Sequence, residues 1–123
     1  MKKIAIILSF TLISCNEVTH SKLGKEYAVQ ELQETLANPQ DNNFVDNKEF
    51  IIKDKKTAIA VSEPILFEIY GKSHIEDQKP YEVYLIKNYW VIRGTLMHLS
   101  FGGTFLIIID ARNSRVLRII HGK

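Results

Sequence analysis

The chain has 123 residues, of which 16 are basic and 14 acidic, a formal charge of +2, 46% hydrophobic residues and a single cysteine. That length suits one domain with its own core and excludes two. One thiol excludes an internal disulfide or a cysteine metal cage, and no aromatic-basic module for nucleic acid is present.

The N terminus reads as a targeting segment. Lys2 and Lys3 precede an apolar run from Ile4 to Leu12, and about nine residues fall well short of the roughly 20 that span a bilayer core. The run closes on Leu12-Ile13-Ser14-Cys15. This tetrapeptide is similar to the bacterial lipobox, in which the cysteine is acylated and the chain is cut just before it. The expected organisation is a signal peptide over 1–14, a lipidated tether over 15–25 and a single α+β domain over 26–123. Acylated Cys15 would hold the chain on a membrane of the cell envelope, facing the periplasm or the exterior. Asn16 is not the aspartate associated with inner-membrane retention, which leaves an outer-membrane address open.

Without Lys2 and Lys3 the remaining chain balances 14 basic against 14 acidic residues, but the charges are segregated. Cys15 to Phe50 holds seven acidic and three basic residues, and Glu82 to Lys123 holds two acidic and six basic. A basic C-terminal part favours an acidic partner or anionic headgroups, if it is more than a solvated face.

In chain order, Ala28, Val29, Leu32 and Leu36 recur at helical spacing, which predicts a helix from Glu26 to Asn38 stopped by Pro39. Gln40 to Lys48, rich in Asn and Asp, predicts a loop. Asp54 is placed to cap a second helix that runs to Tyr70, with Gly71 as its stop. Pro64 inside that helix predicts a kink or a split. Its broad apolar coverage predicts a central position in the core.

Beyond Pro80 the period changes to two. Tyr81–Ile86 and Tyr89–Leu96 flank a two-residue turn, Lys87-Asn88, with Asn88 suited to a positive φ. The register across this turn sets Glu82 opposite Arg93, Val83 opposite Ile92 and Leu85 opposite Trp90. One face then carries Val83, Leu85, Trp90 and Ile92. The other carries Glu82, Tyr84, Tyr89, Val91 and Arg93. A third strand, Thr104 to Asp110, is apolar on both faces, so its second face is either interior or meets something else. A hairpin capped by Asp110, with positive φ at Asn113 or Ser114, leads into a fourth strand, Arg115 to His121. The fold class expected is α+β, with helices packed on one face of a curved four-stranded antiparallel sheet.

Several ordered blocks from Lys53 to Lys123 resemble a known family. They include Glu63-Pro64-Ile65-Leu66, Tyr70-Gly71-Lys72, Pro80-Tyr81-Glu82-Val83-Tyr84 and Tyr89-Trp90-Val91-Ile92-Arg93-Gly94-Thr95. Gly102-Gly103-Thr104-Phe105, Ile107-Ile108-Ile109-Asp110 and His121-Gly122-Lys123 complete the series. Together these resemble the nuclear-transport-factor-like immunity proteins of bacterial polymorphic toxin systems. The resemblance implies a small cone-like domain of the nuclear-transport-factor or cystatin kind that binds a cognate protein toxin and blocks it, without turnover. Ser114 departs from the glycine often found in the last hairpin of such proteins, and residues 16–47 fall outside the resemblance.

Tyr84, Tyr89 and Arg93 on the half-polar sheet face, with Lys87 at the hairpin tip, are the expected partner-binding residues, because tyrosine and arginine carry much of the energy of compact interfaces. Trp90 is expected to point inward. Casting Tyr84, Tyr89, Asp77 and Glu82 as an acid–base set is possible, but nothing in their spacing requires it. His20, His74, His98 and His121 lack metal-type spacing, so neither a metal nor another cofactor is expected. Gly102-Gly103 lacks the strand-to-helix context of a phosphate loop and reads as a tight turn or bulge. The alternative is a small-ligand-binding or isomerase-like envelope lipoprotein. It requires an open cavity lined by Val83, Leu85, Trp90 and Ile92; filling by Leu66, Phe67 and Tyr70 favours the inhibitor.

Overall fold

Proline, glycine and aspartate set most of the element boundaries. The computed structural model describes residues 2–6, 19–39, 43–46, 49–98 and 100–123, so Cys15 and the rest of the Leu12–Cys15 tetrapeptide lie outside the described residues. The chain divides into two compact units, Met1–Asn38 and Pro39–Lys123. Among the described residues no helix is long and apolar enough to cross a membrane.

Among the described residues the first unit contains one helix, α1 (Gly24–Ala37), which starts two residues before the predicted boundary and ends ahead of Pro39. Glu26 lies in its first turn, where the helix dipole favours an acid. Gln30 donates to Glu34 one turn on, at 2.8 Å. No residue of α1 is buried, and Leu32 and Leu36 are exposed.

The second unit opens with a short 3₁₀ turn, Phe44–Asp46, inside the expected loop. Helix α2 (Lys55–Tyr70) follows. The Asp54 carboxylate accepts from the Thr57 N–H at 2.8 Å, and Gly71, at φ 89°, ends the helix with its N–H on the Phe67 carbonyl. Of the two outcomes expected at Pro64, a kink or a split, the split does not occur: α2 runs on through it. Pro64 and Ala60, whose carbonyl loses its helical donor, are both exposed, so water can take the freed acceptor. Nor is α2 buried all round: Ala58, Ser62 and Leu66 form a single buried stripe, and Ile69 is exposed. A one-turn helix, α3 (Lys72–Glu76), buries Ile75 and was not anticipated.

Four strands complete the unit: β1 (Glu82–Ile86), β2 (Tyr89–Arg93), β3 (Phe105–Asp110) and β4 (Val116–His121). They form one antiparallel meander in the order β1-β2-β3-β4. The β1–β2 register is the predicted one at all five pairs, with Glu82 on Arg93 and Leu85 on Trp90. The positive φ of the turn falls on Lys87 (55°) and not on Asn88, while Ser114 (59°) carries it in the last hairpin as expected.

The inner sheet face contributes Val83, Trp90, Ile92, Phe105, Ile107 and Ile109 to a core closed by Ala58 and Leu66 of α2 and Ile75 of α3. Phe67 and Tyr70 pack against the same core. The space between helix and sheet is thus filled by the side chains named for the inhibitor reading. Leu85 departs from expectation. It shares the inner face but sits on the edge strand near the hairpin tip and stays exposed.

Trp90 points inward, and its indole N–H donates to the Ile52 carbonyl at 2.9 Å. Ile51 and Ile52 both donate to Ala111, so the segment ahead of α2 is fastened to the end of β3. Trp90→Phe leaves the buried Ile52 carbonyl without that donor, which costs about 2 kcal/mol. Denaturant unfolding of the variant is expected to show this loss, with faster proteolysis around residues 50–54.

Candidate functional site: the outer face of the sheet

Because side chains alternate, the residues between those of the inner face stand on the opposite face of the sheet. The register fixes three rows across it. Glu82, Arg93, Leu106 and Ile120 form the first, Tyr84, Val91, Ile108 and Arg118 the second, and Ile86, Tyr89 and Asp110 the third. Tyr84, Ile86 and Ile120 are exposed, while Tyr89, Val91, Leu106 and Ile108 are half-buried. This face is therefore apolar along its middle and carries arginine at its margins.

All four predicted contact residues fall on this face or at its edge, in different states. Arg93 Nε lies 3.5 Å from the Glu82 carboxylate, and the Tyr84 hydroxyl donates to the same carboxylate at 3.3 Å. Tyr89 lies under the Arg112 guanidinium, 5.9 Å from its ring centre. Lys87 is exposed at the hairpin tip.

Arg112 in turn grips Asp110 with two side-chain bonds, at 3.0 and 2.8 Å, and its own N–H donates to the same carboxylate at 2.9 Å. These bonds, the side-chain ones first, hold the Asp110 carboxyl below the usual carboxylate range. A lowered value means the ionised form stabilises the fold above the unfolded carboxylate pKa of roughly 4. That contribution is lost as pH falls through the lower folded value. Asp110→Asn is expected to flatten the acid limb of stability against pH, measured by thermal melts between neutral pH and acid.

Two open grooves flank the face. One of about 590 Å³ is lined by Glu82, Arg93, Thr95, Gly103, Leu106 and Ile120 among others, where the β2–β3 connection meets the sheet. The other, about 510 Å³, is lined by Tyr89, Asp110, Arg112, Arg115 and Leu117 among others. Leu96 of the β2–β3 connection is exposed and lines the first, and Met97 and Phe101 of the same connection are exposed as well.

Sequence reasoning missed Arg118 and Ile120. The missing signal was a β-bulge: pairing slips between Ile108 and Ile109, so Leu117 is extra and Arg118 comes opposite Ile108. The apolar second face of β3 was legible and did point here.

His74 and His121, 47 residues apart, also meet, which their spacing did not suggest. Their Nε2 atoms lie 3.1 Å apart with the rings stacked. His121 Nδ1 is 2.7 Å from the Gly122 carbonyl, which sets its proton there and leaves Nε2 as an acceptor. Gln78, buried, supplies a donor to that acceptor at 3.1 Å. Its Oε1 accepts the Phe105 N–H at 2.9 Å, and its backbone carbonyl accepts from Thr95. The cluster joins α3, the end of β2, the start of β3 and the end of β4. Among the described residues no group of three or more His, Cys, Asp or Glu side chains is arranged to hold a metal. Asp77 caps the end of α3, while the Glu82 carboxylate accepts from Tyr84. His20 and His98 lie elsewhere, in the first unit and in the β2–β3 connection.

The family model of the NTF2 fold immunity proteins matches residues 57–123, which includes most of α2, α3 and the whole sheet. The chain belongs to that family. The α+β architecture agrees with that membership. This immunity protein is similar to the uncharacterized protein YhhH of Escherichia coli (strain K12), at 34% identity over 74 residues, 59% of this chain and 58% of that protein. The immunity protein therefore matches a little over half the length of YhhH. It is also similar to the uncharacterized protein YbbC of the same organism, at 30% identity over 115 residues, 93% of this chain and 90% of that protein. No solved structure matches it.

Proposed function

We propose that this protein is a lipid-anchored immunity protein that neutralises its cognate toxin in the cell envelope by stoichiometric binding through the outer sheet face. The observation that carries the reading is this face in a chain of the immunity family: largely apolar rows that hold Arg93 within one and Arg118 at the end of another, uncovered within their unit. Apolar area supplies affinity, and the arginines select a partner whose docking surface is acidic and apolar. Filling of the helix–sheet interior by Leu66, Phe67 and Tyr70 supports an inhibitor over a small-ligand carrier.

Anchoring rests on the N-terminal sequence. Each buried methylene contributes roughly 0.8 kcal/mol, so several acyl chains on Cys15 hold a protein durably. A protein fixed outside the cytoplasmic membrane intercepts only an effector that acts or passes there, such as a wall-degrading or membrane-damaging toxin.

Two experiments test the halves of this reading. Deleting the gene is expected to cause self-intoxication, reversed by the intact gene, with a one-to-one complex between the protein and a toxin encoded next to it. No toxicity and no complex would end the toxin half. Cys15→Ser is expected to move the protein out of the membrane fraction or leave it unprocessed; unchanged fractionation would end the anchoring half.

A further inference from the structure

A neutral imidazole nitrogen offers one lone pair, in the plane of its ring. With its proton on Nδ1, His121 has that lone pair on Nε2, and both Gln78 Nε2 and His74 Nε2 stand 3.1 Å from it. Once the Gln78 amide takes the lone pair, a proton on His74 Nε2 has no acceptor there. Without that proton, two imidazole lone pairs face each other at the same distance. The arrangement suits neither state of His74, and a cation that accepts both lone pairs resolves it. The Gln78 amide keeps a partner in that case, the His74 carbonyl at 3.2 Å.

We propose that His74 and His121 hold one divalent ion of the zinc and copper class through their two Nε2 atoms. Two nitrogens bound to one zinc at about 2.0–2.1 Å and a near-tetrahedral angle stand about 3.3 Å apart. The two Nε2 atoms here are 3.1 Å apart, while the ring centres are 5.0 Å apart. The rings therefore splay back from each other and present their Nε2 edges to a shared space. A metal-binding imidazole also needs its tautomer fixed by its other nitrogen, and the Gly122 carbonyl does this for His121. The fold itself sets the spacing: α3 is fastened by buried Ile75, and His121 is paired with Phe105 in the sheet. Among the described residues no third His, Cys, Asp or Glu joins the pair, so water completes the coordination. Imidazole favours zinc, nickel or copper over magnesium, which takes oxygen ligands. A bound ion would tie α3 to the end of β4, next to Ile120 and Gly122 of the first groove. The site stands whether or not the toxin-binding reading holds.

The test uses the untagged full chain, extracted in mild detergent where it is membrane-bound, stripped with a chelator and then given Zn²⁺ or Mg²⁺. Equilibrium dialysis counts the ions bound, and a circular dichroism melt reads the stabilisation. The expected result is one Zn²⁺ per chain and no Mg²⁺. At a tenfold excess of Zn²⁺ over its dissociation constant, Tm is expected to rise by roughly 5 °C or more. His74→Ala is expected to lose both the ion and the shift, and His98→Ala, in the β2–β3 connection, to keep both. Histidine ring resonances of the parent report the site without any substitution: Zn²⁺ is expected to move those of His74 and His121 and not those of His98. No Zn²⁺ bound at roughly 0.1 mM, far above a micromolar dissociation constant, would overturn the proposal and leave the pair joined by a proton alone. So would full retention of Zn²⁺ by His74→Ala, or bound Zn²⁺ that leaves both rings unmoved.

Discussion

Gly103→Ala is expected to cost the fold more than any other glycine-to-alanine change in the sheet. A β-carbon at residue 103 would stand 2.0 Å from the backbone carbonyl carbon of Gly122 and 2.3 Å from its Cα. Nothing flexible can yield there, because both neighbours are main chain. The two glycines cross where β3 begins and β4 ends, next to the Gly122 N–H bond to Thr104. Accommodating a methyl group would part those strands and disturb the Phe105–His121 pair beside them. We expect a loss of about 3 kcal/mol or more, the upper range for overpacking. In a unit of this size that is roughly 10–20 °C in Tm. Gly122→Ala offers the internal comparison, since its β-carbon would lie 3.0 Å from Gly103 Cα, tight but open to small adjustment. Calorimetry should therefore rank Gly103→Ala well below Gly122→Ala in Tm. Equal melting temperatures would show that the strand ends separate freely.

Arg118→Glu is expected to have the largest effect on neutralisation with little effect on folding. Arg118 is exposed and ends the row Tyr84–Val91–Ile108. Among the described residues no carboxylate lies within ion-pair distance of it. Reversing an exposed charge that lacks such a partner shifts stability by about 0.5 kcal/mol or less. In an interface with an acidic partner the same change removes an attraction and adds a repulsion, about 3 kcal/mol, or roughly a hundred-fold in Kd. Titration of the toxin with parent and variant, alongside matched melting curves, checks both statements. Unchanged affinity for Arg118→Glu would remove the outer face from the docking surface. Arg93→Ala is expected to have a smaller effect, because Arg93 already holds Glu82 within the chain.

The local grammar of the fold was readable residue by residue. Asp54 and Gly71 bracketed α2 because an aspartate cap and a glycine stop act on neighbouring backbone atoms. The β1–β2 register followed from a two-residue turn and from placing apolar residues on one face. The same reasoning erred where the surroundings decide. Whether Pro64 breaks a helix depends on whether the freed carbonyl meets water, and whether Leu85 is covered depends on how far the helices reach along the hairpin. Arg118 was hidden by the bulge, which moves a residue to the other face without any change in composition.

By itself the sequence determined the character of each segment: a basic and apolar start ending in Cys15, a capped helix, a hairpin of alternating strands and a third strand apolar on both faces. These are consequences of spacing between near neighbours, which bonding and side-chain alternation translate directly into structure. Tertiary structure decided what the segments bring together. Only folding places His121 on His74 and Gln78, crosses Gly103 with Gly122, and lines Arg93 and Arg118 along one open face. Contacts between residues tens of positions apart depend on packing and strand register across the whole unit, and no local pattern encodes them.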